Sequence, residues 1–290
     1  MNRNICTQTL SQAPRCKENA AGNLLILLTA ALWSFIGLAV KSLHLPTMAL
    51  SALSCAGILS VTAPAALKGR FRVTPASVLG AALFYLTNLS FLYANQHTSV
   101  GNAIVLQECA PVYVLIFTCL HRRSLPTPRH LIPACACMAG MFIFFLDQLG
   151  AGNLAGNLAA LFSGVCFGAS FFLNSLPCGR PLDSSLLSNV FGLTAGLLFC
   201  ALHPVSRPQS LALCLPALAA ALLFQGLPTL TYAAGIKRTN ALSASMIALS
   251  EVILAPLWSM LLLHEQMSPR SLLGAAIMVG AVMAQTVMGR

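Results

Sequence analysis

ALSASMIALSEVILAPLWSMLLL, residues 241–263, is long enough to cross a bilayer and carries one carboxylate, Glu251, near its middle. At about 1.5 Å rise per residue the run matches a hydrocarbon core of roughly 30 Å. A charged side chain at that depth costs on the order of 3 kcal/mol even on lenient scales, so it must face a partner, a watery cavity or a proton. A second run, GNAIVLQECAPVYVLIFTCL at 101–120, repeats the theme with Glu108. Each glutamate is followed within a few residues by a proline, Pro111 or Pro256. These two runs are expected to face each other across a central cavity, with the other spans built around them.

Composition agrees with this reading. The chain is 57% hydrophobic and 8% charged, where a soluble domain is about 25% charged, and its mean hydropathy is +0.81. Its formal charge of +10 would suggest a nucleic-acid partner in a soluble protein, but the basic residues lie in short breaks between apolar runs. A membrane topology explains them, and no nucleic-acid partner is expected. Residues 1–21 are polar and lack a repeating apolar face, which suggests a disordered cytoplasmic tail. The first apolar run is longer than a signal-peptide core.

Ten spans are expected, near 22–40, 47–67, 75–94, 101–120, 130–149, 153–176, 183–202, 211–233, 239–263 and 268–288, making an all-α polytopic membrane protein. With the N-terminus inside, thirteen Lys and Arg fall on the cytoplasmic side: Arg3, Arg15, Lys17, Lys68, Arg70, Arg72, Arg122, Arg123, Arg129, Arg180, Lys237, Arg238 and Arg290. Three fall outside: Lys41, Arg207 and Arg270. That bias places both termini in the cytoplasm of a cell (plasma or inner) membrane protein.

The chain also repeats internally. Gly22-Asn23-Leu24 recurs 134 positions later as Gly156-Asn157-Leu158, where Trp33 aligns with Phe167 and Ser34 with Gly168. Pro128-Arg129 precedes Gly140 as Pro269-Arg270 precedes Gly280. This divides the chain into the tail 1–21, a first five-helix repeat 22–149 and a second, 150–290. Because an odd number of spans reverses direction, the repeats are inverted, an arrangement that puts a substrate site near mid-depth and transports by rocking.

Leu249 to Met283, LSEVILAPLWSMLLLHEQMSPRSLLGAAIMVGAVM, resembles the end of EamA-type members of the drug/metabolite transporter superfamily, with Glu251, Glu265 and Gly274 in matching places. Tyr93-Ala94, Asn102-Ala103, Ala110-Pro111 and Leu32-Trp33-Ser34 resemble the family's first half. The resemblance implies a ten-helix carrier that exports small metabolites, often amino acids or related compounds. Leu53-Ser54-Cys55 stands where members often have an arginine, and Arg122-Arg123 where a Glu-containing turn is common.

Mechanism is sought in the polar groups at membrane depth. At 100° per residue Gly101, Ile104, Val105, Glu108, Pro111 and Val112 share a face, as do Ser243, Ala244, Ile247, Ser250 and Glu251. Glu251 and Glu108 are candidates to bind a proton or a substrate amino group; the plainer reading is a hydrogen bond to a neighbouring helix. Trp33, Asn88, Tyr93, Asn102, Gln107, Asn174, Gln225 and Tyr232 are candidate cavity residues, against interhelical bonds or interfacial anchoring. Pro111 and Pro256 are candidate bending points. Glu265, near His264 and Arg270, reads as part of a solvated cluster.

The eleven cysteines lie mostly in or at the ends of apolar spans, where Cys behaves as a small hydrophobe. The histidines lie away from span centres, so no metal or other cofactor is expected. No GxxxxGK[ST], GxSxG or HExxH sequence occurs, which argues against an ATPase-driven pump and against common hydrolases. The expected activity is secondary active transport of a small-molecule solute with proton or exchange coupling. An intramembrane lipid-modifying enzyme and a passive channel are the alternatives from other classes. A homodimer in the lipid bilayer is compatible with this reading.

Overall fold

The computed structural model describes residues 20–35, 47–150, 153–202, 211–263 and 267–288. The N-terminal tail through Asn19, and His264 with Glu265, lie outside the described residues. Among those described every regular element is helical, and the helices give ten apolar rods. The first is α1 (Ala20–Trp33), followed by α2 (Thr47–Lys68) and α3 (Pro75–His97). The fourth rod is divided into α4 (Val100–Gln107) and α5 (Ala110–Arg122), and the fifth is α6 (Pro128–Phe145). Rods six and seven are α7 (Leu154–Ser175) and α8 (Pro181–Leu202). The eighth joins α9 (Leu211–Ala221) to α10 (Leu227–Ile236) through a π turn at Leu222–Gly226. The ninth comprises α11 (Ala241–Ala248) and α12 (Ser250–Leu263), and the tenth is α13 (Pro269–Met288). Eight are long and apolar enough to cross a membrane, while α1 and α3 present shorter apolar stretches.

Local sequence explains where the rods begin. Proline, whose missing N–H costs nothing in the first turn, opens α3, α6, α8 and α13. Thr74 and Ser77 form a reciprocal capping box at α3, and Ser99, Asn153 and Asn240 accept from the first turns of α4, α7 and α11. These caps satisfy N–H groups that would otherwise lack partners.

Packing shows the two inverted repeats directly. α1 packs mainly on α10, α11 and α12, while α7 packs on α3, α4 and α5. Exchanging the repeats converts one set into the other. The remaining rods pair with their own equivalents, α2 with α8 and α6 with α13. The first helix of each repeat thus sits mainly against the other repeat, so the packed units interleave the two sequence halves.

The Gly-Asn-Leu repeat has a physical basis in this exchange. Thr239 donates to Asn23 Oδ1 across the α1–α11 contact. Thr98 donates to Asn157 Oδ1 at 2.6 Å across the α7–α4 contact. A Cβ on Gly22 would come within 2.7 Å of the Arg238 backbone, and one on Gly156 within 2.8 Å of the His97 backbone. The glycines allow the approach and the asparagines pin it, at opposite ends of the bundle. The α6–α13 crossing relies on Gly140 and Gly274, each with the other's carbonyl within 3.0 Å of its would-be Cβ; Gly280 faces open space. Gly280, which the Pro-Arg match in sequence pairs with Gly140, takes no part in this close approach.

Candidate functional site

Both glutamate-bearing rods lose regular α-helical bonding for one or two residues beside the glutamate, at 108–109 and at 249, within otherwise continuous spans. α4 ends at Gln107 with Glu108 as its C-cap, and α5 restarts at Ala110. α11 ends at Ala248 with Leu249 as its C-cap, and α12 restarts at Ser250. Across each break a tighter three-residue bond resumes the chain, from Val112 N–H to the Cys109 carbonyl at 3.0 Å and from Val252 N–H to the Leu249 carbonyl at 3.1 Å. Pro111, in the first turn of α5, has no N–H to offer the Gln107 carbonyl, which explains the first break. Pro256 lies inside α12, beyond the second break and not its cause. The proposed faces therefore do not run continuously through either rod.

The two carboxyls lie in one electrostatic neighbourhood. Glu108 and Glu251 are half-buried, close enough for the Glu108 charge to act on Glu251, and it also reaches Cys137 on α6. Neither carboxyl has a hydrogen bond or ion pair with another described residue, so the plainer interhelical-bond reading has no donor to point to. The other two acids among the described residues are paired. Arg180 Nε donates to buried Asp183 at the start of α8, and Arg270 Nη1 to Asp147 Oδ1 at 2.7 Å. Ser268 also donates to Asp147 Oδ2 at 2.8 Å. The Ser268 hydroxyl first, and then Arg270, hold the Asp147 carboxyl below the ordinary aspartate range.

Three of the candidate cavity residues, Trp33, Asn174 and Tyr232, gather near the junction of α1, α7 and α10. The Tyr232 ring is buried, with its centroid 6.0 Å from that of Trp33. Asn174 Nδ2 donates to the Tyr232 hydroxyl at 3.4 Å, while Asn174 Oδ1, fully buried, has no partner among the described residues. Gln225 lies half-buried in the π turn beside these elements. Gln107 Nε2 donates to Ser163 at 3.0 Å, and Ser163 donates to the Thr87 carbonyl at 2.8 Å, tying α4 to α7 and α3.

The others serve elsewhere. Asn102 bridges α4 to the α6–α7 connection and α7, donating to the Gly150 carbonyl at 2.9 Å and to Asn157 at 3.3 Å. Asn88 is exposed and returns its amide to the Phe84 carbonyl one turn back. Tyr93 is 44% exposed and stacks on His97 at 3.9 Å, as an interfacial aromatic would.

Sequence reasoning missed the aromatic surroundings of Tyr232. Phe171 and Phe84 stand edge-on to its ring at 5.3 and 6.2 Å, and Phe167 lies 5.0 Å from Phe171. The available signal was Phe167's alignment with Trp33, which marks a recurring aromatic position. A second group, Phe35 between Trp258 at 4.6 Å and Phe224 at 5.4 Å, is joined by a 2.8 Å bond from Trp258 Nε1 to Ser34. An apolar cleft of about 620 Å³ between α1, the ninth rod and α13 reaches Ser250, the residue before Glu251. No group of His, Cys, Asp and Glu among the described residues is placed to hold a metal ion.

A model of the EamA-like transporter family matches residues 20–146 and again residues 154–286. A solved structure named only as "Crystal structure of protein" superposes with a TM-score of 0.79 at 19% identity, covering 93% of this chain and 98% of its own. That likeness concerns the fold. No curated protein matches this sequence.

Proposed function

Since the chain belongs to the EamA-like transporter family, a group of multi-pass membrane transporters, we propose that it is a secondary active carrier. It exports small polar metabolites of amino-acid size by alternating access, with proton or exchange coupling, from a cell membrane in which both termini are cytoplasmic. One observation carries this reading: two carboxyls from different repeats lie at the irregular turns of their spans, near enough for one charge to act on the other, with no described partner for either. Acids inside a membrane mark proton or substrate paths, and broken spans expose backbone groups to a cavity. Glu251 and Glu108 carry the proton or the substrate's cationic group, and Gln107 fixes the first break against α7.

Counterflow in proteoliposomes preloaded with unlabelled metabolites tests this. The parent protein is expected to show saturable, pH-dependent exchange, and the Glu251→Gln variant to lose the pH dependence. A variant that keeps it removes Glu251 from coupling, whereas flux without saturation or counterflow means a pore.

A further inference from the structure

Among the described residues, every Lys and Arg lies at a helix end or in a connection: Lys68, Arg70, Arg72, Arg122, Arg123, Arg129, Arg180, Lys237, Arg238 and Arg270. Two of the four acids meet such a base, Asp147 and Asp183. The other two, Glu108 and Glu251, sit within rods of different repeats with no described base against either. A ligand that brought its own carboxylate to them would add a third negative group with no described base inside the bundle to balance it. One that brings only positive charge supplies the missing counter-charge.

Two further features accept the same ligand chemistry without involving the carboxyls. The first is the aromatic group: Trp33, Phe84 and Phe171 surround Tyr232 with centroids 5.3–6.2 Å from its own, and aromatic faces attract cations within about 6 Å. The second is Asn174 Oδ1, a fully buried acceptor without a described donor beside the Tyr232 hydroxyl; buried acceptors are ordinarily satisfied. The aromatic residues share one continuous core with neighbours of both glutamates, Cys109 on one side and Ile247, Leu249 and Val252 on the other.

We propose that the transported solute is an organic cation carrying a primary ammonium and no carboxylate, an amine rather than the amino acid from which decarboxylation would make it. The ammonium is held by Glu108 and Glu251, and the rings around Tyr232, with Asn174 Oδ1, receive the rest of its donor-bearing framework. This rests on the carrier reading above and narrows its substrate class.

The test uses pairs of solutes that differ by one carboxylate: agmatine with arginine, putrescine with ornithine, and tyramine with tyrosine. Each is measured in counterflow through proteoliposomes of the full chain and compared with protein-free vesicles. At least one amine is expected to exchange about tenfold faster than its amino acid, as one unbalanced charge contact would dictate. Glu108→Gln and Glu251→Gln are each expected to abolish that preference. For putrescine and agmatine, which carry a second cationic group beyond the ammonium held by the carboxyls, Tyr232→Phe should raise the half-saturating concentration about twofold or less and Tyr232→Leu about fivefold, the loss expected for a ring–cation contact; elution as a single monodisperse species checks that each variant is folded.

Amino acids exchanging as fast as or faster than their amines overturn the substrate class and leave the carrier standing. Equal half-saturation for the folded Phe and Leu variants overturns the ring contact. Absence of counterflow for any solute in a panel spanning cations, zwitterions, anions and neutral metabolites, with folded protein, overturns both readings.

Discussion

The α6–α13 crossing offers a sharp test of the packing. A Cβ on Gly274 would lie 2.5 Å from the Phe144 nitrogen, 2.6 Å from the Gly140 carbonyl oxygen and 2.7 Å from the Phe144 Cα, all backbone atoms. Ordinary contact begins near 3.4 Å, so Gly274→Ala requires the helices to part by about 0.9 Å, and no rotamer change can relieve it. Overpacking of this kind costs ~1–3 kcal/mol, while alanine's better helix propensity returns ~1 kcal/mol at most. Gly280→Ala, two turns further along the same helix with nothing within 4 Å, keeps the propensity gain and meets no obstacle. Thermal unfolding in detergent should therefore place the Gly274→Ala midpoint several degrees below the parent and Gly280→Ala at or slightly above it. Equal midpoints for the two variants would refute the close crossing.

Loss of the Asn23–Thr239 bond in Asn23→Ala leaves a buried hydroxyl without its partner, for a cost of ~1–3 kcal/mol. Asn157→Ala, which also removes an acceptor from Asn102, should cost at least as much, and the double variant should be additive because the two pins lie at opposite ends; unfolding midpoints of all three check this. The Asp147 latch has a defined pH sign. Its folded-state carboxyl titrates below the unfolded one, near 3.9, so its stabilisation is present above that pH and is lost as pH falls through the lower folded value. Asp147→Asn should lower stability at neutral pH and flatten the acid limb of the midpoint–pH curve; an unchanged acid limb would count against the latch. Pro111→Ala restores an N–H that can reach the Gln107 carbonyl, so α4 and α5 should join and counterflow should fall. Distances between spin labels placed near the two ends of the fourth rod report the change, and an unaltered distribution would mean that Pro111 does not hold the break.

The rods could be read from sequence because apolar length is a property of the chain alone. Gly22-Asn23 and Gly156-Asn157 also revealed the repeat, since close backbone approach demands glycine wherever it recurs. The partners of those motifs could not be read. The same offset fits an α1 packed within its own repeat as well as one packed against α10 and α11, and only tertiary contact distinguishes them. The candidate polar residues divided for a similar reason. Asn102 and Asn88 are equally polar and equally embedded in apolar sequence, yet one bridges three elements and the other caps its own turn. Which of these occurs depends on what stands opposite the side chain. The Tyr232 surroundings were missed because Phe84 and Phe171 look like any other phenylalanine in an apolar run.

The two glutamates share a neighbourhood without being symmetry mates. α4 and α11 correspond at an offset of 141, since each is eight residues long and is capped by Ser99 or Asn240. That offset puts Glu108 opposite Leu249 and Glu251 opposite Ala110. Glu108 therefore closes the segment before its break, where helix carbonyls gather, and Glu251 opens the segment after its break, where N–H groups gather. Rocking that interchanges the repeats would leave their packing pattern much the same but would not interchange these carboxyls, because an acid in one half faces an apolar residue's position in the other. On the proposed reading, a cation held between them would meet different surroundings in the two facing states, although the fold around it is repeated. On the proposed alternating-access reading, direction and coupling would rest on this local departure from symmetry, and moving the acid from position 251 to 249 is the substitution that would restore the symmetry and remove the difference.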